Sequence, residues 1–141
     1  MRFHHVGILV ANIEQHFKDH FTNELGITSI EGPVLDPNQK AFTAMIRTGL
    51  GAGIELISPS GIDSPISPAL ENGGGMHHIC YEVDDIESTI EKMRSAGMAP
   101  VSPPTPATLF GGLRVAFMYS KLGGLIELVE SDTSDPENEH S

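Results

Sequence analysis

Apolar and polar positions alternate from residue 3 to residue 10, the period of a half-buried strand. His5, Gly7 and Leu9 fall on one face and Val6, Ile8 and Val10 on the other. The period then lengthens. Ile13, Phe17, Phe21 and Leu25 recur at helical spacing, with Asn12 placed to cap the start, Gln15 as its capping-box partner and Gly26 to end it. Further strands are expected at 27–30, 41–47 and 54–57, with residues 31–40 read as a loop on the strength of Gly32, Pro33, Asp36, Pro37 and Asn38. In the last of these strands Glu55 stands between Ile54 and Leu56, so its carboxylate points away from the face those neighbours bury.

The same order then returns. A strand is expected at 78–83 and a helix with Ile86, Ile90 and Met93 inward, capped by Asp84 or Asp85 and ended by Gly97. Strands follow at 98–101, 114–119 and 125–129, with a loop at 103–112. Each module therefore reads strand, helix, three strands, which is an α+β chain built from two βαβββ modules. His5 and His78, Val10 and Val83, and Ile13 and Ile86 are all 73 positions apart, while Glu55 and Glu127 are 72 apart. A constant offset over such a run is the mark of a duplicated unit. The modules occupy 3–58 and 76–130 of a single domain, 3–130. They are joined by a Ser-, Pro- and Gly-rich linker, 59–75, in which Ser64 and Pro65 could open a short helix. Gly73-Gly74-Gly75 is the flexible end of that linker, since no strand precedes it and no phosphate-loop lysine follows. Residues 131–141 form a polar, acidic tail with too little apolar surface to stay ordered.

Composition narrows the chemistry. The formal net charge is −11, a field that repels nucleic acid and anionic membrane surfaces; without the five acidic residues from Glu130 onward the body carries about −6. No apolar run has the length of a membrane span and no secretion signal opens the chain, so a soluble cytoplasmic protein is expected. Cys80 is the single cysteine, which rules out an internal disulfide and a Cys-x-x-Cys metal knuckle. Any metal must be held by histidine and carboxylate.

Strand parity supplies that set. His5 and His78 share their faces with the small residues Gly7 and Cys80, and Glu55 and Glu127 each face away from apolar neighbours. A buried carboxylate is costly unless paired or metal-bound, and here two occur at matched positions, each with a matched histidine. Two imidazoles and two carboxylates suit Co²⁺, Ni²⁺, Mn²⁺, Zn²⁺ or Fe²⁺ and leave positions open for substrate oxygens. His4 and His77 fall by parity on the helix-packed face. His16 and His20, one helical turn apart without an HExxH frame, read as a helix surface.

These residues resemble the vicinal oxygen chelate superfamily, in the motifs His5-Val-Gly-Ile, Ile-Glu55-Leu, His78-Ile-Cys-Tyr and Ile-Glu127-Leu. Over 3–130 the chain is most similar to the methylmalonyl-CoA epimerase branch, through Ile54-Glu-Leu-Ile-Ser-Pro59, Asp63-Ser-Pro-Ile66 and Gly74-Gly-Met-His-His-Ile-Cys80. The resemblance implies paired modules whose curled sheets enclose a divalent metal held by His5, Glu55, His78 and Glu127. It also implies proton transfer alpha to a thioester, with a carboxylate such as Glu127 or Glu55 as base, on a small-molecule substrate of the acyl-CoA type, in a homodimer. Three features depart from that pattern. Asn38 stands where some epimerases carry a loop glutamate, the turn 120–124 is short, and eight Lys plus Arg offer little positive field for CoA phosphates. Other readings within the fold are a glyoxalase I-like lyase, another metalloenzyme of the superfamily, or a resistance-type binder of a small molecule. The binder reading is disfavoured by the full ligand set, and an extradiol dioxygenase by the fourth ligand.

Because the last ten residues hold nothing apolar to dock, deleting residues 132–141 is expected to shift the melting midpoint by no more than about 2 °C. Differential scanning calorimetry of the truncated and full chains checks this.

Overall fold

A computed structural model describes residues 1–47 and 52–132. The chain divides into two compact units, one made of residues 5–77 and the other of residues 1–4 with those from His78 onward. The α+β reading and the βαβββ order hold in each.

The first unit contains β1 (Arg2–Leu9) from His5 on, α1 (Ile13–His16), β2 (Glu31–Asp36), β3 (Ala41–Arg47), β4 (Gly53–Pro59) and α2 (Ser67–Glu71). Its strands are ordered β2-β3-β4-β1, with β1 parallel to β4 and the rest antiparallel. Val10, Ile13, Phe21, Ala44, Ile46 and Leu56 bury one face of the sheet against the helical segment. Leu9, Ala41 and Ile57 lie on the other face, where α2 contributes Ile66 and Leu70. The second unit repeats the plan with β5 (Gly75–Val83), α3 (Ile86–Ser95), β6 (Ala99–Pro106), β7 (Arg114–Ser120) and β8 (Gly124–Glu130), ordered β5-β8-β7-β6. Val83, Ile86, Ala116, Met118, Ile126 and Leu128 form its helix-side core, and Cys80, Ala107, Val115 and Val129 cluster on the opposite face.

Several expectations are corrected. No strand occupies 27–30; β2 lies in the stretch read as a loop. Proline is tolerated there because β2 is the outer strand, bonded to β3 alone, and its register shifts between Glu31 and Val34. Gly32 takes φ +93°, and a Cβ on it would stand 2.9 Å from the Thr43 carbonyl oxygen, so only glycine fits. The outer strand of the second unit behaves alike: β6 runs through Pro103, Pro104 and Pro106 where a loop was expected. The first helix does not stay α. Asn12 caps it by accepting the Gln15 N–H at 2.9 Å, but Phe17–Thr22 is π-helical, and Gln15 donates to Asp19 instead of closing a capping box. The wider turn takes Leu25 off the apolar stripe and leaves it exposed. α2 starts at Ser67, not Pro65, with Ile66 as its cap and Pro68 in the first turn. The linker is thus packed on the first unit through Ile66 and Leu70, and Gly75 is already in β5.

The expected tail starts too early. Ser131 is buried, its N–H donates to the Val83 carbonyl at 2.8 Å, and its hydroxyl lies 2.7 Å from Asp84 and 2.8 Å from the Arg2 guanidinium. Arg2 also binds Glu82 at 2.7 Å and Asp84 at 2.9 Å, which holds the Asp84 carboxyl below the usual range. Residues 133–141 of the expected tail lie outside the described residues. Losing a buried hydroxyl with several partners costs about 1–2 kcal/mol. Ser131→Ala should therefore lower the melting midpoint by roughly 3–6 °C, read by calorimetry against the wild type.

Candidate functional site

The period of two that sets strand parity also places the histidines and glutamates. In the first unit β1 and β4 run parallel with Gly7 beside Glu55 and His5 beside Gly53. In the second unit β5 and β8 run parallel with Cys80 beside Glu127. Each glutamate thus lies level with the residue two past its histidine, so histidine and glutamate point to the same side of their sheet in both units. That side is the one without the long helix, as parity required.

In the first unit His5 is fully buried and Glu55 is 4% exposed, with Nε2 and Oε1 3.5 Å apart. In the second, His78 and Glu127 are each 2% exposed and their Nε2 and Oε1 atoms stand 3.1 Å apart. The 3.1 Å contact is within hydrogen-bonding range, whereas 3.5 Å is longer than a well-formed N–H···O bond. Both distances suit neighbouring ligands on one ion. Two donors at right angles on bonds of about 2.1 Å are about 3 Å apart. The residues therefore fit a divalent cation in chemistry, burial and spacing within each pair.

The strands beside the glutamates differ between the units. Met45 in β3 is the cross-strand partner of Glu55 and is fully buried. Gly53 makes room for it, since a Cβ there would come within 2.6 Å of the Met45 sulfur. Phe117 in β7 is the partner of Glu127, and its ring meets His78 edge-on at 5.4 Å and 86°. This contact fixes the imidazole plane, and an aromatic pair of that geometry contributes about 0.5–1.5 kcal/mol beyond burial. Neither Met45 nor Phe117 stood out in the motif reading. Extending the offset of 72 from the glutamates to the neighbouring strands pairs Met45 with Phe117 and would have found both.

The other histidines lie elsewhere. His4 does not join the helix-packed face: its ring sits edge-on to Phe110 at 5.3 Å, because residues 1–4 pack with the second unit and the β1–β4 register begins at His5. His77 is half-buried in β5. Asn38 lies in an exposed turn held by Asp36, whose buried carboxylate accepts the Asn38 N–H at 3.0 Å. His16 and His20 are neighbours on the helical segment, with His20 paired to Glu24 at 2.9 Å.

The family model for the glyoxalase/bleomycin resistance protein/dioxygenase superfamily matches residues 4–117. The chain is 34% identical to the ethylmalonyl-CoA/methylmalonyl-CoA epimerase of Cereibacter sphaeroides, over 90% of this chain and 96% of that protein. It is 32% identical to the mitochondrial methylmalonyl-CoA epimerase of Homo sapiens, over 92% of this chain and 74% of that one. Among solved structures, methylmalonyl-CoA epimerase from Mycobacterium tuberculosis superposes with a TM-score of 0.79 at 26% identity, covering 99% of this chain and 92% of that one. A variant of the Streptomyces coelicolor methylmalonyl-CoA epimerase, in complex with 2-nitronate-propionyl-CoA, gives 0.79 at 26% identity, covering 94% and 96%.

Burial holds the His16 pKa below its ordinary 6.5, helped by repulsion from His20 and opposed by Asp19. Between the lowered value and 6.5 the unfolded chain binds more protons than the folded one, so this group subtracts stability as pH falls. His16→Gln should remove that term: its stability relative to wild type should rise between about pH 8 and about pH 5 in urea titrations.

Proposed function

The chain belongs to the glyoxalase/bleomycin resistance protein/dioxygenase superfamily, and within it we propose an acyl-CoA epimerase that moves the proton alpha to a thioester carbonyl, as in methylmalonyl-CoA epimerases. The observation that carries this reading is the buried histidine–glutamate pair that recurs, in the same register, in both units.

In this proposal His5, Glu55, His78 and Glu127 share one divalent cation. When bound, an ion of the Co²⁺, Ni²⁺, Mn²⁺, Zn²⁺ or Fe²⁺ class supplies Lewis acidity toward the carbonyl oxygens of the substrate. The protein contributes the rest. Glu127 and Glu55 are the carboxylates that take the alpha proton from one face and return it to the other. Asn38 cannot take that part, because an amide does not accept a proton at neutral pH. Phe117 holds the His78 ring and places hydrocarbon beside Glu127, which lowers the local dielectric around that carboxylate. The residues beside the glutamates in register, Gly7 and Cys80, are both small. Among the described residues no helix is long and apolar enough to cross a membrane. A homodimer acting in the cytoplasm completes the proposal and rests on the family resemblance.

The test combines metal analysis with isotope exchange. Metal-reconstituted protein is expected to bind about one divalent ion per chain. His78→Ala and Glu127→Ala should each lose most of that affinity, and His16→Ala should retain it. Incubated with methylmalonyl-CoA in D₂O, the loaded protein should exchange deuterium into the alpha position, and Glu127→Gln should abolish exchange. Unchanged metal binding in the two alanine variants would sink the ligand assignment. Exchange on a hemithioacetal but not on any 2-carboxyacyl thioester would move the protein to the glyoxalase branch.

A further inference from the structure

Thr43 lies in β3 on the same face as Glu55, two residues from Met45 and directly across from Ile57 in β4. It is 3% exposed, as enclosed as Glu55 itself, and its hydroxyl oxygen has no hydrogen-bond partner among the described residues. Leaving a buried hydroxyl without a partner costs the full desolvation of that group, so such an atom calls for a specific reason.

The second unit provides an internal comparison. The residue at the matching place is Val115, across from Val129 as Thr43 is across from Ile57. Valine has nearly the shape of threonine without the hydroxyl. The duplicated scaffold therefore accepts an apolar residue at this position, and packing does not explain a hydroxyl in the first unit. Nor does the strand ladder, which uses backbone groups.

The geometry points to Thr43 as a substrate-binding residue whose hydroxyl donates a hydrogen bond to the carboxylate that the substrate carries on its alpha carbon. This rests on the epimerase reading and deepens it. Diagonal positions on neighbouring antiparallel strands place their Cβ atoms about 7 Å apart or less, so an oxygen held within contact of Glu55 is also within reach of Thr43. A substrate carboxylate near Glu55 meets like charge and needs donors to stay there. On this face of the first unit Leu9, Ala41, Met45 and Ile57 offer no donor, and Thr43 does. The hydroxyl would thus set a preference for acyl-CoAs with an anionic 2-substituent over simple acyl-CoAs.

The experiment measures, by calorimetric titration of the metal-loaded protein, the affinity of wild type, Thr43→Val and Thr43→Ser for 2-nitronate-propionyl-CoA and for propionyl-CoA, with a melting curve for each variant. The nitronate carries an anionic oxygen pair where the substrate has its carboxylate. Thr43→Val should bind the nitronate about tenfold or more weakly, and Thr43→Ser should stay within about threefold of wild type. Affinity for propionyl-CoA should be the same in all three proteins. Thr43→Val should melt no lower than wild type, because it removes a hydroxyl that none of the described residues satisfies. Nitronate binding by Thr43→Val within about twofold of wild type overturns the inference. So does weaker binding together with a markedly lower melting point, which would make the hydroxyl a structural anchor. If folded, metal-loaded wild type does not bind the nitronate at all, the epimerase reading itself fails and the Thr43 contact falls with it.

Discussion

Two carboxylates held almost out of water are the constraint on which the rest of this molecule turns. Glu55 and Glu127 are 4% and 2% exposed, and an ionised carboxylate buried without compensation is among the most expensive things a fold can carry. Each unit meets that demand by the same device, a parallel strand pair that brings an imidazole to the glutamate. The parallel pairing is what fixes the geometry. With Gly7 level with Glu55 and Cys80 level with Glu127, a shift of one residue would turn the glutamate toward the helix-side core. Leu56 and Leu128, fully buried on that opposite side, resist such a slip. The large apolar residues flanking each glutamate therefore do more than fill the core; they lock the orientation of the two carboxylates.

Duplication makes the differences between the units informative. Where both copies agree, as in the glutamates and histidines, the shared scaffold and the shared chemistry cannot be separated. Where they disagree, one copy shows what the scaffold alone accepts. Met45 and Phe117 occupy the same place beside the two glutamates, yet Met45 is sealed in against Gly53 while Phe117 presses edge-on against His78. The longer His5–Glu55 contact accompanies the flexible thioether, and the shorter His78–Glu127 contact accompanies the flat ring. Methionine adapts its shape to a gap, whereas an aromatic ring imposes its own. Thr43 against Val115 is the same kind of contrast with a hydroxyl at stake.

The residues of the two pairs were legible in the sequence because they depend on the strongest short-range signal a strand has, alternation with period two. Nothing but the relative parity of His5 with Ile8, or of Glu55 with Leu56, was needed to place them on the face away from the helix. The outer strands were not legible. Pro33 in β2 and Pro103, Pro104 and Pro106 in β6 are turn formers by local preference, and only the edge position, a tertiary fact, makes them compatible with a strand. The π-helical turn over Phe17–Thr22 preserved the inward Phe17 and Phe21 but displaced Leu25, which a 3.6-residue period cannot anticipate. Ser131 looked like tail by composition. Its order comes from Arg2, 129 residues earlier in the chain, a contact without local trace.

Charge shapes what the substrate can be held by. Among the described residues, Arg2 is engaged with Glu82 and Asp84, Lys40 with Asp63, Arg47 with Glu31, and Arg114 with Glu87 and Glu130. Around Arg114 the effect is plain: its guanidinium lies 2.6 Å from Glu87, whose carboxyl is pulled below the usual range. These are mostly exposed pairs that contribute little to stability one by one, but they spend positive charge on the protein's own acids. With a net charge of −11 the chain offers no long-range attraction for the phosphates of a CoA ester. For the proposed CoA-ester substrate, recognition would then be concentrated at its acyl end, where short-range contacts away from water act at full strength. In the proposed epimerase that is the end at which the reaction would occur. Binding energy realised there can differ between ground and transition state, whereas a grip on remote phosphates is the same in both. On the proposed activity, an acidic surface and two buried carboxylates would together keep affinity close to the carbon whose proton is moved.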